Sequence, residues 1–358
     1  MTAPESSVPP LEGEGPHGLD LDALATFLRT QVPGLVSGSL SGRLIAGGRS
    51  NLTYLVTDGA GTWVVRRPPL GHVLETAHDM GREHRVMAGL WGSEVPVPEM
   101  VALCRDPEVI GAPFYVMSFV DGTVFRTGEQ LADVPAAAAQ ELADGLVDVL
   151  ARLHTVDPAA VGLADLGRPA GFLERQVRRW GKQLDASHSR ELPELAALGR
   201  RLASAVPVSR RVALVHGDYK LDNVVVDPAD LGHVLAVLDW EMATLGDPLT
   251  DLVNVVLWWD GVRDTEGSPF AAVPAEAQGF PPSTRLLDRY ATATGDDLTS
   301  LPWYMGLVCY KLASIFEGMY YRDIQGLTVG DGFDRIAGLP PALAQQGHTY
   351  LDGGSVAG

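Results

Sequence analysis

The 358-residue sequence predicts an α+β protein of two lobes, a small one built on a five-stranded β-sheet with one main helix and a larger, mostly helical one. Three observations point there. The chain is longer than one hydrophobic core ordinarily serves, and such chains divide into domains. Up to residue 121, short β-rich runs alternate with Gly- and Asn-containing turns around one amphipathic helical run. Beyond it the apolar spacing turns helical, broken by two short apolar runs, Val212 to Val215 and Val234 to Leu238, each ending in a polar cluster. The expected division is a tail over 1–18, a small lobe over 19–121 and a large lobe over 122–350.

Composition narrows the class. Apolar residues make up 46% and charged residues 20%, as in an ordinary soluble globular chain. With 27 Lys and Arg against 45 Asp and Glu, the net charge is −18. That disfavours a nucleic-acid partner, whose affinity rests on cations neutralising phosphates. It is compatible with a cationic substrate, although such an excess more often serves solubility. Cys104 and Cys309 are the only cysteines, too few for a disulfide framework or a zinc site, so a reducing, cytoplasmic setting is expected. The opening MTAPESSVPPLEGEGPHG has neither a basic start nor an apolar core. It reads as a disordered tail rather than a signal peptide or anchor, and no membrane partner is expected.

In the small lobe, Leu21, Leu24, Phe27 and Leu28 stand at helical spacing with Asp20 placed to cap. Three β-like runs follow, Leu40 to Ala46, Leu52 to Thr57 and Thr62 to Arg67, joined by hairpin-like Gly and Asn clusters. The first connection, Gly47, Gly48, Arg49, Ser50 and Asn51, suits a backbone that approaches phosphates closely, and a plain hairpin turn explains it equally. No G-x-x-x-x-G-K-[ST] occurs, which excludes a Walker-type loop. Strand alternation puts Val64 and Arg66 on one face of the third run and Val65 and Arg67 on the other. In the helical run from about Thr76 to Trp91, Glu83 shares a face with Met80, Met87 and Leu90, and a carboxylate on a buried face requires a partner. Alternation alone leaves Arg66 and Arg67 both open as that partner, and Glu83 turned outward to water is the alternative. Met100 to Arg105 and Pro113 to Val120 complete the five strands.

The large lobe opens with a core helix from Pro135 to His154, whose apolar face carries Leu142, Leu146, Val149 and Leu153. His154, at its end, is expected to bond nearby carbonyls. Helices over Phe172 to Leu184, with a basic face of Arg175, Arg178, Arg179 and Lys182, and over Glu194 to Ala205 lead to the polar clusters. After them a helix from Leu249 to Trp259 is apolar on nearly all sides. Asp247 and Asp251 read as its caps, with Asp247 the candidate to brace the preceding turn. Residues 260–282 lack periodicity. Pro302 to Arg322 is an aromatic-rich helix that also carries Lys311, Glu317 and Arg322, and a last helix spans about Asp334 to Tyr350.

The rest is organised around LVHGDYKLDNVVVDPADLGHVLAVLDWEMATLGDPLTD, Leu214 to Asp251. Its first cluster holds His216, Asp218, Lys220 and Asn223 in one tight turn; its second holds Asp239 at the end of a Val- and Leu-rich strand. If the two strands lie side by side, two carboxylates, an amide and an amine converge. Asn223 and Asp239 offer the hard oxygen ligands that suit Mg²⁺ when phosphates and water complete its shell.

HGDYKLDN, LDWE and GDPLTDL, in that order, resemble the catalytic centre of the aminoglycoside phosphotransferase family, relatives of the protein kinases. The resemblance covers about Leu40 to Arg322. It implies a two-lobed protein-kinase-like fold and an ATP- and Mg²⁺-dependent transfer of the γ-phosphoryl group to a hydroxyl of a small molecule. In that reading Asp218 is the base, Lys220 neutralises charge on the transferred group, and Asn223 and Asp239 hold the metal. Gly47, Gly48, Ser50 and Asn51 lie over the phosphates, Arg66 pairs with Glu83, and Phe119 and Val120 present backbone to the adenine. His216 and Trp240 serve packing and loop hydrogen bonds.

The chain departs from the pattern at the small-lobe lysine. Lysine occurs only at Lys182, Lys220 and Lys311, so Arg66 stands where the family places it. LDWEMATLGDPLTDL is similar to a subgroup of the family fused to acyl-CoA dehydrogenases, which implies a hydroxyacyl or other non-antibiotic acceptor as readily as an aminoglycoside. Glu241, Lys311, Glu317, Tyr321 and Arg322 are the acceptor-side candidates, in a semi-polar pocket for an amphipathic or anionic molecule. The alternative is a nucleotide-binding pseudokinase that acts as a regulatory scaffold.

Overall fold

The computed structural model describes residues 16–45, 51–70, 79–187, 190–263, 272–326 and 333–354. The chain forms two compact units, one of Met1–Trp91 with Val97–Asp121 and one of Gly92–Pro96 with Gly122–Gly358. Most of the expected tail and the Gly47, Gly48 and Ser50 turn lie outside the described residues.

The first unit is an antiparallel five-stranded sheet in the order β1-β2-β3-β5-β4, built from Ser41–Leu44, Leu52–Thr57, Thr62–Arg67, Met100–Cys104 and Phe114–Ser118. α1 (Leu21–Gln31) begins where Asp20 accepts hydrogen bonds from the amides of Asp22 and Ala23 at 3.1 and 2.9 Å. Its Leu24 and Leu28 are buried with Tyr54, Val56, Trp63, Val65, Phe114 and Val116. α2 (Met80–Leu90) buries Met80, Glu83, Val86, Met87 and Leu90. It starts at Asp79, whose carboxylate accepts from the Arg82 amide at 3.0 Å; the earlier start expected at Thr76 lies outside the described residues.

Strand alternation on β3 therefore separates two arginines. Val65 is in the α1-side core, and Arg67, two residues on, is buried on that face, donating to the carbonyls of Ile110 (2.8 Å), Gly18 and Pro68. Arg66 emerges on the other face beside α2.

The second unit is helical: α3 (Gly128–Ala132), α4 (Ala136–Thr155), α5 (Phe172–Ala186), α6 (Pro193–Ser204), α7 (Leu249–Asp260), α8 (Ser283–Thr294), α9 (Leu301–Ile324) and α10 (Leu339–Leu351). α9 is buried over most of its circumference and packs against α5, α6, α7 and α10. α4 lies so close to the strand Asp230–Val237 that a Cβ at Gly145 would meet the Gly232 carbonyl oxygen. The helical spacing analysis assigns neither α3 nor α8. α3 is a five-residue turn set by a Thr127–Gln130 capping box, too short for a periodic signal. Within 260–282, the described residues hold one 3₁₀ turn, Pro274–Glu276. No helix among the described residues is long and apolar enough to cross a membrane.

Two antiparallel ribbons carry the polar clusters. β6 (Ala213–Val215) pairs with β9 (Thr244–Gly246), and β7 (Val224–Asp227) pairs with β8 (Asp230–Val237). This corrects the expectation that the two apolar runs lie side by side: β6 and β8 belong to different ribbons. The chain leaves β6, turns through the first cluster, and enters a hairpin whose far end carries the second, so the hairpin rather than a shared sheet returns Asp239 to that turn.

Because Arg67 satisfies three backbone carbonyls from a buried position, Arg67→Ala is expected to destabilise the protein by about 2–4 kcal/mol, since hydrogen bonds from charged groups are the strong ones. Denaturant unfolding of Arg67→Ala beside the unaltered protein would measure the loss.

Candidate active site

β6 ends at His216, and there the chain is held by one buried carboxylate. Asp251, in the first turn of α7, accepts the amide of His216 at Oδ2 (2.6 Å) and the amide of Gly217 at Oδ1 (2.8 Å). Asp251 thus braces the turn rather than capping the helix, while Asp247 caps Leu249 at 3.0 Å, as expected, and accepts the Tyr304 hydroxyl at 2.8 Å. Burial opposes the Asp251 charge, but His154, His216 and the amide donors outweigh it and hold the carboxyl below its ordinary range. His154 bonds Asp251 and the Tyr290 hydroxyl rather than the carbonyls expected of it. Gly217 has φ 86°, and a Cβ there would sit 2.7 Å from that of Met242, so the turn requires glycine.

His216 ties the two clusters together. Its Nδ1 accepts the Asp218 amide at 3.2 Å, which leaves Nε2–H to donate to the Leu238 carbonyl at 2.8 Å, next to Asp239. The ring packs 4.6 Å from that of Trp240, whose indole N–H donates to Val237.

Asp218 comes next, and its side chain is 28% exposed among neighbours that are mostly buried. Oδ2 faces Asn223 Nδ2 at 3.4 Å and Lys220 Nζ at 3.6 Å; Oδ1 faces Asn254 Nδ2 at 3.5 Å. Asn254, on α7, also donates to the Tyr219 carbonyl at 3.1 Å and accepts from Lys311, whose ammonium donates to the Gly217 carbonyl at 2.6 Å. Lys220 stands 3.2 Å from Asp222 and 4.7 Å above the Trp258 ring. Burial pulls the Lys220 ammonium down, yet Asp218, Asp222 and Asp239 together raise it above its ordinary value. Lys311 is the opposite case: burial dominates and lowers it.

Asn223 closes the 3₁₀ turn Leu221–Asn223, and its Nδ2 donates to the Asp218 carbonyl at 2.9 Å, which orients its amide oxygen away. Its carbonyl accepts the Leu238 amide at 2.8 Å, placing Asn223 and Asp239 at the same end of the hairpin. Asp239 has φ 65° and ψ 62° and is the one non-glycine residue with positive φ among the described residues. Such a conformation costs on the order of 1–3 kcal/mol and concentrates at functional sites. Among the described residues no cluster of three His, Cys, Asp or Glu side chains suits a metal by itself. One carboxylate and one amide oxygen do suit Mg²⁺, which takes few protein ligands when phosphates supply the rest.

In the other unit, Arg66 Nε lies 3.4 Å from Glu83 Oε2, the pair expected from strand phase, helix phase and the family resemblance. Asn51 is buried, and the Phe119 amide faces the Thr62 carbonyl at 3.4 Å, while Phe119 and Val120 are half-buried. Of the acceptor-side candidates, Lys311 joins the Asp218 turn. Glu317 does not: it is buried and gripped by Arg190 through Nε (3.2 Å) and Nη2 (2.9 Å), an ion pair that fastens α9 and replaces its expected place on a pocket wall. Glu241 and Tyr321 are half-buried and Arg322 is exposed. Asn254 and Trp258 were missed because an otherwise apolar helix reads as core on every face.

Asp251 supports a stability prediction. Its lowered carboxyl contributes stability that is present above the ordinary carboxylate value of 3.8 and is lost as pH falls through the folded value. Asp251→Asn should therefore flatten the acid limb of the stability–pH curve, and Asp251→Ala should cost about 3–5 kcal/mol, as when a buried pair loses one partner. Thermal melts between pH 3 and 7 would show both.

A sequence model of the phosphotransferase enzyme family matches residues 41–297. The acyl-CoA dehydrogenase family member 11 proteins of Gallus gallus and Homo sapiens are 33% and 31% identical over 339 and 341 residues, covering 92% of this chain in each case. The chain spans 43% of the length of each. Among solved structures, a Ralstonia eutropha protein assigned to the aminoglycoside phosphotransferases is 32% identical with a TM-score of 0.81, covering 94% of this chain and 99% of that one. The GDP and kanamycin complex of APH(2″)-IIIa, 17% identical with a TM-score of 0.61 over 91% and 98% of the two chains, shares the fold. With a family model over most of its length and a kinase-like architecture, the chain belongs to the phosphotransferase enzyme family.

Proposed function

We propose that the protein transfers the γ-phosphoryl group of ATP to a hydroxyl of a small molecule, with Asp218 as the base. One observation carries this reading: a partly exposed carboxylate is aimed by two amides, Asn223 and Asn254, and stands 3.6 Å from a buried ammonium, Lys220, on a turn locked from behind by Asp251. A carboxylate so held presents one oxygen to an incoming hydroxyl and takes its proton as the O–P bond forms. Lys220, kept charged by the surrounding carboxylates, offsets negative charge that builds on the transferred group. Asn223 and Asp239 would hold Mg²⁺, which when bound neutralises the phosphates of the donor. Asp239's left-handed backbone directs its carboxylate out of β8 where an extended continuation would carry it along the ribbon.

Arg66, paired with Glu83, takes the place of the small-lobe lysine and offers a guanidinium to the donor phosphates. A cytoplasmic setting is part of this reading, and the free, buried thiols Cys104 and Cys309 are compatible with it.

For the acceptor we favour a hydroxyacyl compound over a polycationic antibiotic. Lys220 and Lys311 both stand at the Asp218 turn, and the Arg179 charge bears on Lys311. A polycation would meet these charges, whereas a carboxylate or phosphate carried by the acceptor would be attracted. The relatives named for acyl-CoA dehydrogenases agree with this choice.

Asp218→Asn should keep MgATP affinity and lose turnover by several orders of magnitude, because shape is retained and the proton acceptor is removed. Near-native turnover of that variant with a true acceptor would end the assignment. Asp239→Gly should behave differently: it relieves the strained backbone, so Tm should hold or rise by a few degrees, while calorimetry should show MgATP affinity falling at least tenfold. Arg66→Ala should raise KM for ATP. MgATP binding without ADP release on any hydroxylated acceptor would favour the scaffold.

A further inference from the structure

Behind β6 lies a closed ring of buried and half-buried polar contacts that the reaction itself does not use. At the front end of the strand Arg211 grips Asp296, with Nε 3.1 Å from Oδ1 and Nη2 on Oδ2, and also donates to the His154 carbonyl. Asp296 Oδ2 accepts the Tyr290 hydroxyl at 3.1 Å. Tyr290 lies 2.7 Å from His154 Nδ1, and His154 Nε2 lies 3.3 Å from Asp251 Oδ2. Asp251 then takes the amides of His216 and Gly217 at the rear end of the strand. The ring thus joins the last turn of α4, the end of α8, the first turn of α7 and both ends of a three-residue strand.

Directionality follows from counting protons. Burial pushes the Tyr290 phenol far above its ordinary range, so it keeps its proton and spends it on Asp296. Its oxygen is left to accept from His154 Nδ1–H, and because the Asp251 carboxylate can only accept, Nε2–H must donate to it, so both ring nitrogens of His154 act as donors in the ring. Tyr290 and His154 are almost entirely buried, at 0% and 2% exposure, and their rings meet edge to face at 5.7 Å. Buried polar side chains that add no apolar packing are costly unless fully satisfied, and here every one is. What the ring adds is a fixed angle: Asp251 cannot rotate about its χ angles without breaking either His154 or an amide of the turn.

We propose that Arg211, Asp296, Tyr290 and His154 form a positioning relay that fixes, through Asp251, the direction in which Gly217 and Asp218 leave β6, and so sets the turnover rate without touching nucleotide affinity. The proposal rests on the reading of Asp218 as the base. Misplacing a base by about an ångström costs on the order of a hundredfold in rate, and loss of one hydroxyl in the relay should cost part of that.

The test uses the intact chain, MgATP and release of ADP, with water as acceptor so that no unidentified substrate is needed. Tyr290→Phe removes one oxygen and keeps the ring. It should lower kcat about tenfold, leave KM for MgATP within twofold, and speed hydrogen exchange at the Gly217 amide. Asp296→Asn, which keeps an acceptor for both Arg211 and Tyr290, should retain more of the rate than Asp296→Ala. Unchanged kcat in folded Tyr290→Phe, or kcat and KM shifting together, overturns the relay. If Tyr290→Phe fails to fold, the Asp296 pair decides by the same readouts. Should Asp218→Asn keep full turnover, the base assignment falls, and Gly217 exchange in Tyr290→Phe still decides whether the relay holds the turn.

Discussion

The site depends on one carboxylate making two hydrogen bonds to consecutive amides. Asp251 takes the N–H groups of His216 and Gly217 at the point where a three-residue strand ends and the chain must reverse. A strand that short has little hold of its own, since its ladder to β9 covers three residues. Buried amides without partners would cost about 1–3 kcal/mol each, so the carboxylate both satisfies them and stops the turn from sliding. Asp218, Lys220 and Asn223 inherit their positions from that anchor, and His216 carries the constraint across to Leu238 and Asp239.

Around this anchor the protein sets ammonium groups among carboxylates. A chain of net charge −18 places two of its three lysines beside Asp218. They are not equivalent. Lys220 is surrounded by carboxylates and lies over the Trp258 face, and its charge is reinforced. Lys311 donates to the Gly217 carbonyl and Asn254 and loses solvation, so burial weakens its charge. The first suits an electrostatic task and the second suits holding the turn's backbone. Interactions at the site act within a Debye length of about 8 Å, whereas charges on the distant surface are screened.

How far the sequence reached can be argued from particular elements. β2 and β3 have the bounds expected of them, because alternation and the flanking Gly and Asn turns are local. For the Arg66–Glu83 pair, strand phase separated Arg66 from Arg67, helix phase put Glu83 on the buried face, and the family resemblance selected Arg66. Asp218, Asn223 and Asp239 stood out because no buried ribbon would select them for stability. Three readings failed together. Asp251 was taken for a cap, His154 for a partner of nearby carbonyls, and Glu317 for a pocket residue. Each lies on a helix whose sequence identifies a buried face without saying what crosses it.

What the amino-acid sequence determined by itself was therefore the local chemistry: which segments are strand or helix, which face is apolar, and which polar residues interrupt an apolar run without a packing reason. Only the tertiary structure decided the partners. Asp251 meets His216 across 35 residues and His154 across 97, Tyr290 meets His154 across 136, and Glu317 meets Arg190 across 127. The physical reason is that propensity and periodicity act over a few residues. A buried carboxylate can be satisfied by any donor the fold brings within about 3 Å, and which donor arrives depends on how α4, α7, α8 and β6 pack, not on the sequence around either partner.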